Sequence, residues 1–529
     1  MRRSLVLLVV LAALLLLLFA AVAHTPRARF NISQITAALF FSLILVRQSA
    51  CRPPPALPAG LPDKRGLLAA LAIPIVAMVW VTMLPFPFIA DDFEHLMLSR
   101  QPSLPTLWDL TIHGQQGLFL RPVGFATIFI DHRLWGQWSG GYHLTNLAFH
   151  LAAVAALFFL CRELRFGSAV AGFAAMIFAA LPIETEAVAW MGARFDLVSA
   201  CFVLWGAFFY VSYRRRGTRA RYLAALACFV LGALSKENAY ILPLILLATE
   251  CLILPQRRFP PLIAFFLAAA ALFAYRWVTL GGIGGYVDGQ GRPMAFHAGL
   301  KMIEGLFLRA PSVLLFGINW LQPPAAMAIG LAALTAAVAL VLAVLCAPAS
   351  IGWKRLCFCF TWMLLPLIPA HPFLLTTPDL RTTRIFYGAA PGIAMLLAFL
   401  LDGVCPRKAR YALAALLLGL FSLGVLHNLN AWRYTSRLEA RFLSELKALA
   451  PAPPPHAEFV FHDMPTNVRG VYFLEAGLRD SIRITLGRGD VTARRSVDAP
   501  RSGDLPGSPP RLHFEWLGKP DALITALSP

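Results

Sequence analysis

Residues 325–345 read AAMAIGLAALTAAVALVLAVL, and none of them carries a charge. A helix rises 1.5 Å per residue, so this run is long enough to cross the roughly 30 Å hydrocarbon core of a bilayer. Leu5–Ala23 and Ile385–Leu401 have the same character. The whole chain agrees with these runs: of 529 residues 58% are hydrophobic and only 14% charged, and the mean hydropathy is +0.67. Soluble domains carry roughly 45–50% apolar and about 25% charged residues. A chain of this length has too few charges to cover a water-facing surface, which excludes a cytosolic enzyme, a secreted globule and a disordered scaffold. The sequence predicts an all-α polytopic membrane protein.

Working outward from those runs, spans are predicted near 67–89, 142–160, 168–183, 195–213, 222–236, 239–254, 260–277, 325–346, 355–373, 385–403 and 410–427. Two N-terminal segments, Leu5–Ala23 and Ile35–Val46, bring the total to about 11–13 transmembrane helices. The first of them, behind Met1–Arg3 and ending Ala21-Val22-Ala23, reads equally as a signal peptide or a first span. Lys and Arg number 46 against 27 Asp and Glu. The excess sits in short clusters between spans: Arg214–Arg216, Arg257–Arg258, Lys354–Arg355 and Arg407–Lys408 with Arg410. That distribution marks cytoplasmic loops and gives no reason to invoke nucleic acid. The 9 cysteines lie in or beside apolar segments, and Cys357–Cys359 lacks neighbouring ligands for a metal site.

Three segments follow: 1–65 with the extra N-terminal elements, a transmembrane body over 66–428, and an extracytoplasmic region over 429–529. In the last, Thr435–Leu449 reads as an amphipathic helix. Glu458–Phe461 and Ser481–Thr485 alternate like strands, giving a small α+β or β-rich domain with a Pro-, Gly- and Ser-rich tail after Ser496. Long outer connections are expected at 90–141 and 278–324, the second opening with a flexible Gly281–Gly285 stretch.

Ionisable residues are costly in a membrane, so those kept at span ends invite a functional reading. They gather on the outer side. Ala90-Asp91-Asp92-Phe93-Glu94 follows the 67–89 span; adjacent carboxylates against an apolar wall titrate high, which suits a general base, and solvated acids at a helix exit are the plainer reading. His143, Asn146 and His150 share one helical face, either as a metal site or as a polar packing stripe. Glu184, Glu186, Arg194 and Asp196 crowd one turn around Trp190. Lys236 and Glu237 interrupt an apolar run, which is tolerated where the backbone is buried in protein or lines a cavity. Arg381 and Arg384, beside Tyr387, make an anion clamp.

The order Asp91-Asp92, Leu120-Arg121-Pro122, His143-Leu144-Thr145-Asn146 with His150, Pro182–Trp190 with Arg194 and Asp196, Leu234–Glu237, and Arg381 with Arg384 and Tyr387 resembles the class C glycosyltransferases. It is most similar to the protein O-mannosyltransferase branch whose eukaryotic members carry tetratricopeptide repeats. The resemblance runs from about residue 66 to 400. It departs at Glu184, where relatives often have His, in the apolar sequence before residue 67, and in having no repeat pattern after residue 430.

The resemblance implies transfer of a sugar, with mannose a candidate, from a polyprenyl-phosphate donor to an acceptor outside the membrane, with inversion. Asp91 or Asp92 is the implied base. Arg384 and Arg381, then Lys236, Arg194 and Arg276, are the implied partners of the donor phosphate. Glu186 and Asp196, with Glu184, Glu237, Arg121, His143, Asn146 and Tyr387, orient the acceptor or the cations. The acceptor is a protein, a glycolipid or a polysaccharide. No cofactor is expected, and a divalent metal is not favoured. The expected location is a bacterial inner membrane. Competing readings are a transporter or flippase of lipid-linked glycans, which tends to hold its charges near the midplane between repeated halves, and an assembly protein recruiting partners through 430–529.

Overall fold

Pro182 has no N–H to continue a helix and holds Leu181 in extended backbone (φ −61°, ψ 122°). The Ser168–Ala180 helix therefore stops, and Pro182–Ala189 continues at a bend of 46°. In this computed structural model, which describes residues 25–49, 72–100, 104–115, 117–287, 292–294, 300–345, 351–370, 378–404, 407–498 and 510–527, that bend is sealed inside the protein. Asn428 donates from Nδ2 to the carbonyls of Pro182 (3.0 Å) and Gly317 (2.8 Å), and the Thr185 hydroxyl donates to Pro182 O (2.7 Å). Carbonyls freed by the break thus find donors, the condition for irregular backbone at membrane depth. The straight half of the bend is rich in small residues and packs flush against the Ala390–Asp402 helix. Close approach is also needed on that helix's other side: a Cβ at Gly392 would sit 2.6 Å from the Met363 nitrogen and 2.7 Å from the Cys359 carbonyl.

Six helices among the described residues are long and apolar enough to cross a membrane, or seven with the bent pair counted as one span. The chain is a multi-pass membrane protein. Several predicted spans are shorter than their apolar windows. Arg219–Ala233 (15 residues), Leu242–Leu252 (11) and Trp353–Leu364 (12) reach only about 16–22 Å. Breaks at Ser235-Lys236, Leu254-Pro255 and Pro366 interrupt them, and hydropathy does not register such breaks. The connection 278–324 also differs from expectation. Leu300–Phe316 is continuous helix with a π turn over Gly305–Arg309, and its Ala310–Phe316 part is buried. Its charges had disguised it; Arg309 and Glu304 pair at 2.8 Å. The first predicted segment and most of 47–65 lie outside the described residues.

The Met191–Arg216 helix sets the polarity of the body. It carries Arg194 and Asp196 at one end and Arg214–Arg216 at the other, about 30 Å away. At the second end Arg214 pairs with Glu250 (2.7 Å) and Arg216 with Glu163 (2.6 Å).

One helix, Arg407–Leu449, runs 43 residues, about 65 Å, without a break. The boundary expected at 428/429 falls inside it, so the last span and the predicted amphipathic helix are one rod. Beyond it lies a four-stranded sheet of β1 (Glu458–His462), β4 (Thr492–Arg495), β5 (Arg511–Trp516) and β6 (Ile524–Ala526), in the order β4-β1-β5-β6. β1 is parallel to β4 and to β5, while β6 is antiparallel. A small hairpin, β2 (Asn467–Val468) with β3 (Val471–Tyr472), precedes the Leu478–Leu486 helix. The domain is therefore a mixed, largely parallel α/β unit, and Ser481–Thr485, expected as strand, is helix. Polar and apolar residues alternate there, but Ser481 is buried with Ile482 while Arg483, Ile484 and Thr485 are half-buried, so the alternation in type is not an alternation of faces.

This domain shares one apolar core with the Asp92–Ser99 helix of the first long connection. Phe93, Leu96 and Phe125 belong to the same cluster as Phe442, Phe459, Phe473 and Leu478. At the contact, Gly477 takes φ +77°, and a Cβ there would lie 2.1 Å from the Ala90 carbonyl oxygen. Gly477→Ala is expected to cost about 1–3 kcal/mol and to lower the melting temperature of the purified protein; unchanged melting would contradict this docking.

Candidate functional site

Glu186 is fully buried just past the bend. A buried carboxylate must find donors, and these come from one short segment. The carboxylate accepts from the Thr382 N–H (3.2 Å), the Thr383 hydroxyl (3.0 Å) and the Arg384 N–H (3.0 Å), and it pairs with Arg384 Nη1 at 2.6 Å. Thr382 adopts a left-handed conformation (φ +68°) to aim its N–H there. The Arg384 guanidinium lies over the Trp190 ring (5.1 Å) and reaches the Tyr472 hydroxyl of β3 (3.5 Å) and Asp196 (3.8 Å). Its Nη2 makes no hydrogen bond among the described residues. A carboxylate and an aromatic face thus orient the cation and leave one edge without a hydrogen bond among the described residues.

Asp196 also holds Lys236 at 2.5 Å. Lys236 stands where the helix ending at Ala233 gives way to a 3-10 turn over Glu237–Ile241, the expected interruption. Glu237 pairs with Arg121 (2.7 Å) and Arg276 (3.9 Å), and Arg121 stacks on Phe119 (4.2 Å). Arg276 donates as well to the Ile283 carbonyl (3.0 Å). Arg381 binds Asp379 (3.1 Å) and faces Glu475 of the C-terminal domain (3.7 Å).

The paired aspartates take different places. Asp92 is fully buried and accepts from the Ile89 N–H (3.0 Å) and, across 100 residues of sequence, the Gly192 N–H (2.9 Å). It ties the first long connection to the turn after Trp190. Burial pushes its carboxyl up to about 8 despite those bonds. Asp91 is half-buried and opens the Asp92–Ser99 helix. Burial pushes its carboxyl up to about 6 against the pull of Arg384, and the Glu94 and Glu475 carboxylates push it the same way. Near neutral pH, Asp91 is thus ionised and Asp92 largely protonated. The pair was open in the sequence between two bases; Asp91 alone has both exposure and charge.

Five expected site residues lie inside the fold instead. Arg194 is fully buried and its donors go to Asp131, the Asn146 amide oxygen (2.7 Å) and the Tyr142 carbonyl (2.7 Å), which removes it from the phosphate-binding set. Asn146 bonds the Val188 and Trp190 carbonyls (3.1 and 3.0 Å). His143 meets the Phe86 carbonyl (3.1 Å), and Tyr387 meets His150 (2.9 Å), 3.6 Å from which stands Glu184, buried and without a hydrogen bond among the described residues. The helical face of His143, Asn146 and His150 is a packing stripe. Among the described residues no three His, Cys, Asp or Glu side chains form a metal-holding group.

Sequence reasoning missed Asp131, Glu439, Tyr472 and Glu475. Asp131 had a signal, as a lone acid in the apolar Pro122–Trp135 helix. Glu439, buried with its Oε1 on the Ala90 N–H (2.9 Å), is a charge on the core side of an amphipathic helix. Tyr472 and Glu475 sit in a hairpin and a loop whose placement depends wholly on tertiary contacts.

No protein-family model matches the chain. Over 184 residues it is 29% identical to the protein O-mannosyl-transferase Tmtc2 of Drosophila melanogaster, a match covering 31% of this chain and 19% of that one. The chain is similar to that O-mannosyltransferase branch. It spans about a fifth of the length of the curated relative it matches. Among solved structures, ArnT from Cupriavidus metallidurans bound to undecaprenyl phosphate aligns over 87% of this chain and 94% of its own, at 11% identity and a TM-score of 0.48. The archaeal oligosaccharyltransferase AglB from Archaeoglobus fulgidus, in complex with an inhibitory peptide and a dolichol-phosphate, aligns over 82% and 65%, at 13% identity and a TM-score of 0.44.

The two aspartates separate by stability. Asp92→Asn sets an amide N–H against one of two backbone donors and should cost about 1–3 kcal/mol. A carboxyl raised to about 8 in the fold stabilises most below its unfolded value, and that contribution is lost progressively as pH rises to about 8. The wild-type melting temperature should therefore fall as pH rises towards 8 and level off above it, and Asp92→Asn should flatten that fall. Asp91→Asn should melt within about a degree or two of wild type. Equal melting of the two variants would contradict the assignment.

Proposed function

We propose that the chain is a membrane glycosyltransferase that moves a sugar from a polyprenyl-phosphate donor to an acceptor hydroxyl at the extracytoplasmic face. The observation that carries this reading is a half-buried carboxylate, Asp91, in the field of a guanidinium fixed by Glu186 and Trp190. The sequence motifs and the 29% identity to an O-mannosyl-transferase support it. Charge supports the face: the Arg214–Arg216 end of the body resembles a cytoplasmic loop, and the site lies at the other end.

The chemistry follows from the residues. Asp91 accepts the proton of the acceptor hydroxyl as its oxygen bonds to the anomeric carbon. The bond from that carbon to the phosphate oxygen breaks on the opposite face, and its electron pair leaves with the lipid phosphate, inverting the centre. The phosphate gains negative charge as it departs, and a cation already oriented stabilises it without reorganising. Arg384 holds that position, with Arg381 beside it; Lys236 sits deeper, on Asp196, and Arg276 steadies Glu237. Mannose is the sugar of choice on the resemblance, and a bacterial inner membrane the location.

The transporter reading is weaker, because the linked charges gather at one end of the body. Purified protein incubated with polyprenyl-phosphate mannose and scored for released polyprenyl phosphate tests the proposal. Asp91→Asn should lower kcat by about 10²–10⁴-fold. A base titrating near 6 must be deprotonated to act, so wild-type kcat/KM should rise with pH up to about 6 and level off above it. Full activity of Asp91→Asn, or a rate that rises as pH falls, would overturn the assignment.

A further inference from the structure

The long helix exposes one face in two stretches, with half-buried Leu426 and buried His427 between them. Ala412, Leu416, Gly419 and Leu423 are exposed in its apolar half, and Asn430, Tyr434 and Arg437 are exposed further along, on the same stripe at three- and four-residue steps. The face changes from purely apolar to strongly basic. Arg433, Arg437 and Arg441 recur one turn apart there, beginning about 15 Å past Leu423.

These cations are in the wrong place for a topology signal. They flank the end of the span opposite Arg407–Arg410, where the positive-inside rule predicts depletion of Lys and Arg. They also line a cavity of about 580 Å³ between this helix, the tip of the β2–β3 hairpin and the 518–523 turn. Arg469 and Lys519 add two further cations, and no carboxylate lines the cavity among the described residues. Arg433, Arg437 and Lys519 form no ion pair among the described residues, while Arg441 is held by Glu445 at 2.7 Å. Arg469, at φ +50° in the hairpin tip, is laid over the Tyr434 ring at 3.4 Å. Such a concentration of like charge is self-repelling unless an anion neutralises it.

We propose that this groove binds the phosphate-bearing headgroup of a membrane lipid whose acyl chains lie along Leu416 and Leu423. Charge complementarity selects the anion, and the apolar track leading up to it selects a lipid over a soluble phosphate. The site is separate from the Asp91–Arg384 centre and does not depend on the transferase chemistry. The two are mechanically joined, since the hairpin that carries Arg469 over the groove carries Tyr472 to Arg384 three residues later. A bound headgroup braces that hairpin from the side away from the centre.

The test is binding of short-chain dioctanoyl phosphatidate to the full-length protein in detergent, by native mass spectrometry and calorimetry, alongside dioctanoylglycerol and inorganic phosphate. Phosphatidate should bind at least tenfold more tightly than either. The double variant Arg437→Gln/Arg441→Gln should lose at least tenfold in affinity while melting as wild type does, and Lys447→Gln on the same helix should lose less than twofold. Arg437→Lys, which keeps the charge, should retain most of the binding. Inorganic phosphate binding as tightly as phosphatidate would reduce the groove to a free-anion site and overturn the proposal. Equal binding of dioctanoylglycerol, or an undiminished double variant, would overturn it as well.

Discussion

A single buried carboxylate organises the candidate site. Glu186 cannot remain charged in the protein interior without donors, and removing one partner of such a buried pair typically costs about 3–5 kcal/mol. Its four contacts all fall on Thr382–Arg384. That requirement clamps the segment before Tyr387 onto the bent helix, holds Thr382 in a strained conformation and orients the Arg384 guanidinium against Trp190. The bend itself depends on Pro182 and on Asn428, which supplies donors to the carbonyls around it. A sequence-local event, a proline after an apolar helix, thereby becomes a fixed cation some 200 residues further along the chain.

The second constraint is the rod Arg407–Leu449. Because it does not break on leaving the apolar region, the C-terminal domain is rigidly carried, and its β2–β3 hairpin is brought over the centre. The domain's core is completed by Phe93 and Leu96 from the helix that Asp91 opens. Glu439 on the rod holds the Ala90 N–H, and Gly477 abuts the Ala90 carbonyl. The loop bearing the proposed base is therefore supported from both sides of the polypeptide: Asp92 ties it to the body and Glu439 to the rod. The C-terminal domain is part of the site's construction.

Much of this was legible in the sequence because the relevant signals are local or costly. Apolar runs marked the body, Arg clusters marked one end of it, and ionisable residues at span ends marked Glu186, Asp196, Lys236 and Arg384, which the fold links, and Asp91, whose carboxyl feels the Arg384 charge. What escaped depends on pairing across distance. Nothing local distinguishes Asp91 from Asp92; the Gly192 N–H, 100 residues away, does so. Arg194 looks like a free cation until Asp131, Asn146 and the Tyr142 carbonyl surround it. Leu300–Phe316 was hidden by three charges, two of which, Glu304 and Arg309, pair with each other, and the short spans by windows that average across a break.

In the proposed reaction Arg384, preset by Glu186, receives the departing phosphate while Asp91 faces the acceptor. Electron cryo-microscopy of the protein with a non-cleavable polyprenyl-phosphonate sugar tests that arrangement directly. The phosphonate should lie within hydrogen-bond reach of the Arg384 guanidinium, with the anomeric carbon between it and Asp91. A phosphonate bound away from Arg384, or a sugar whose far face is turned from Asp91, would contradict it.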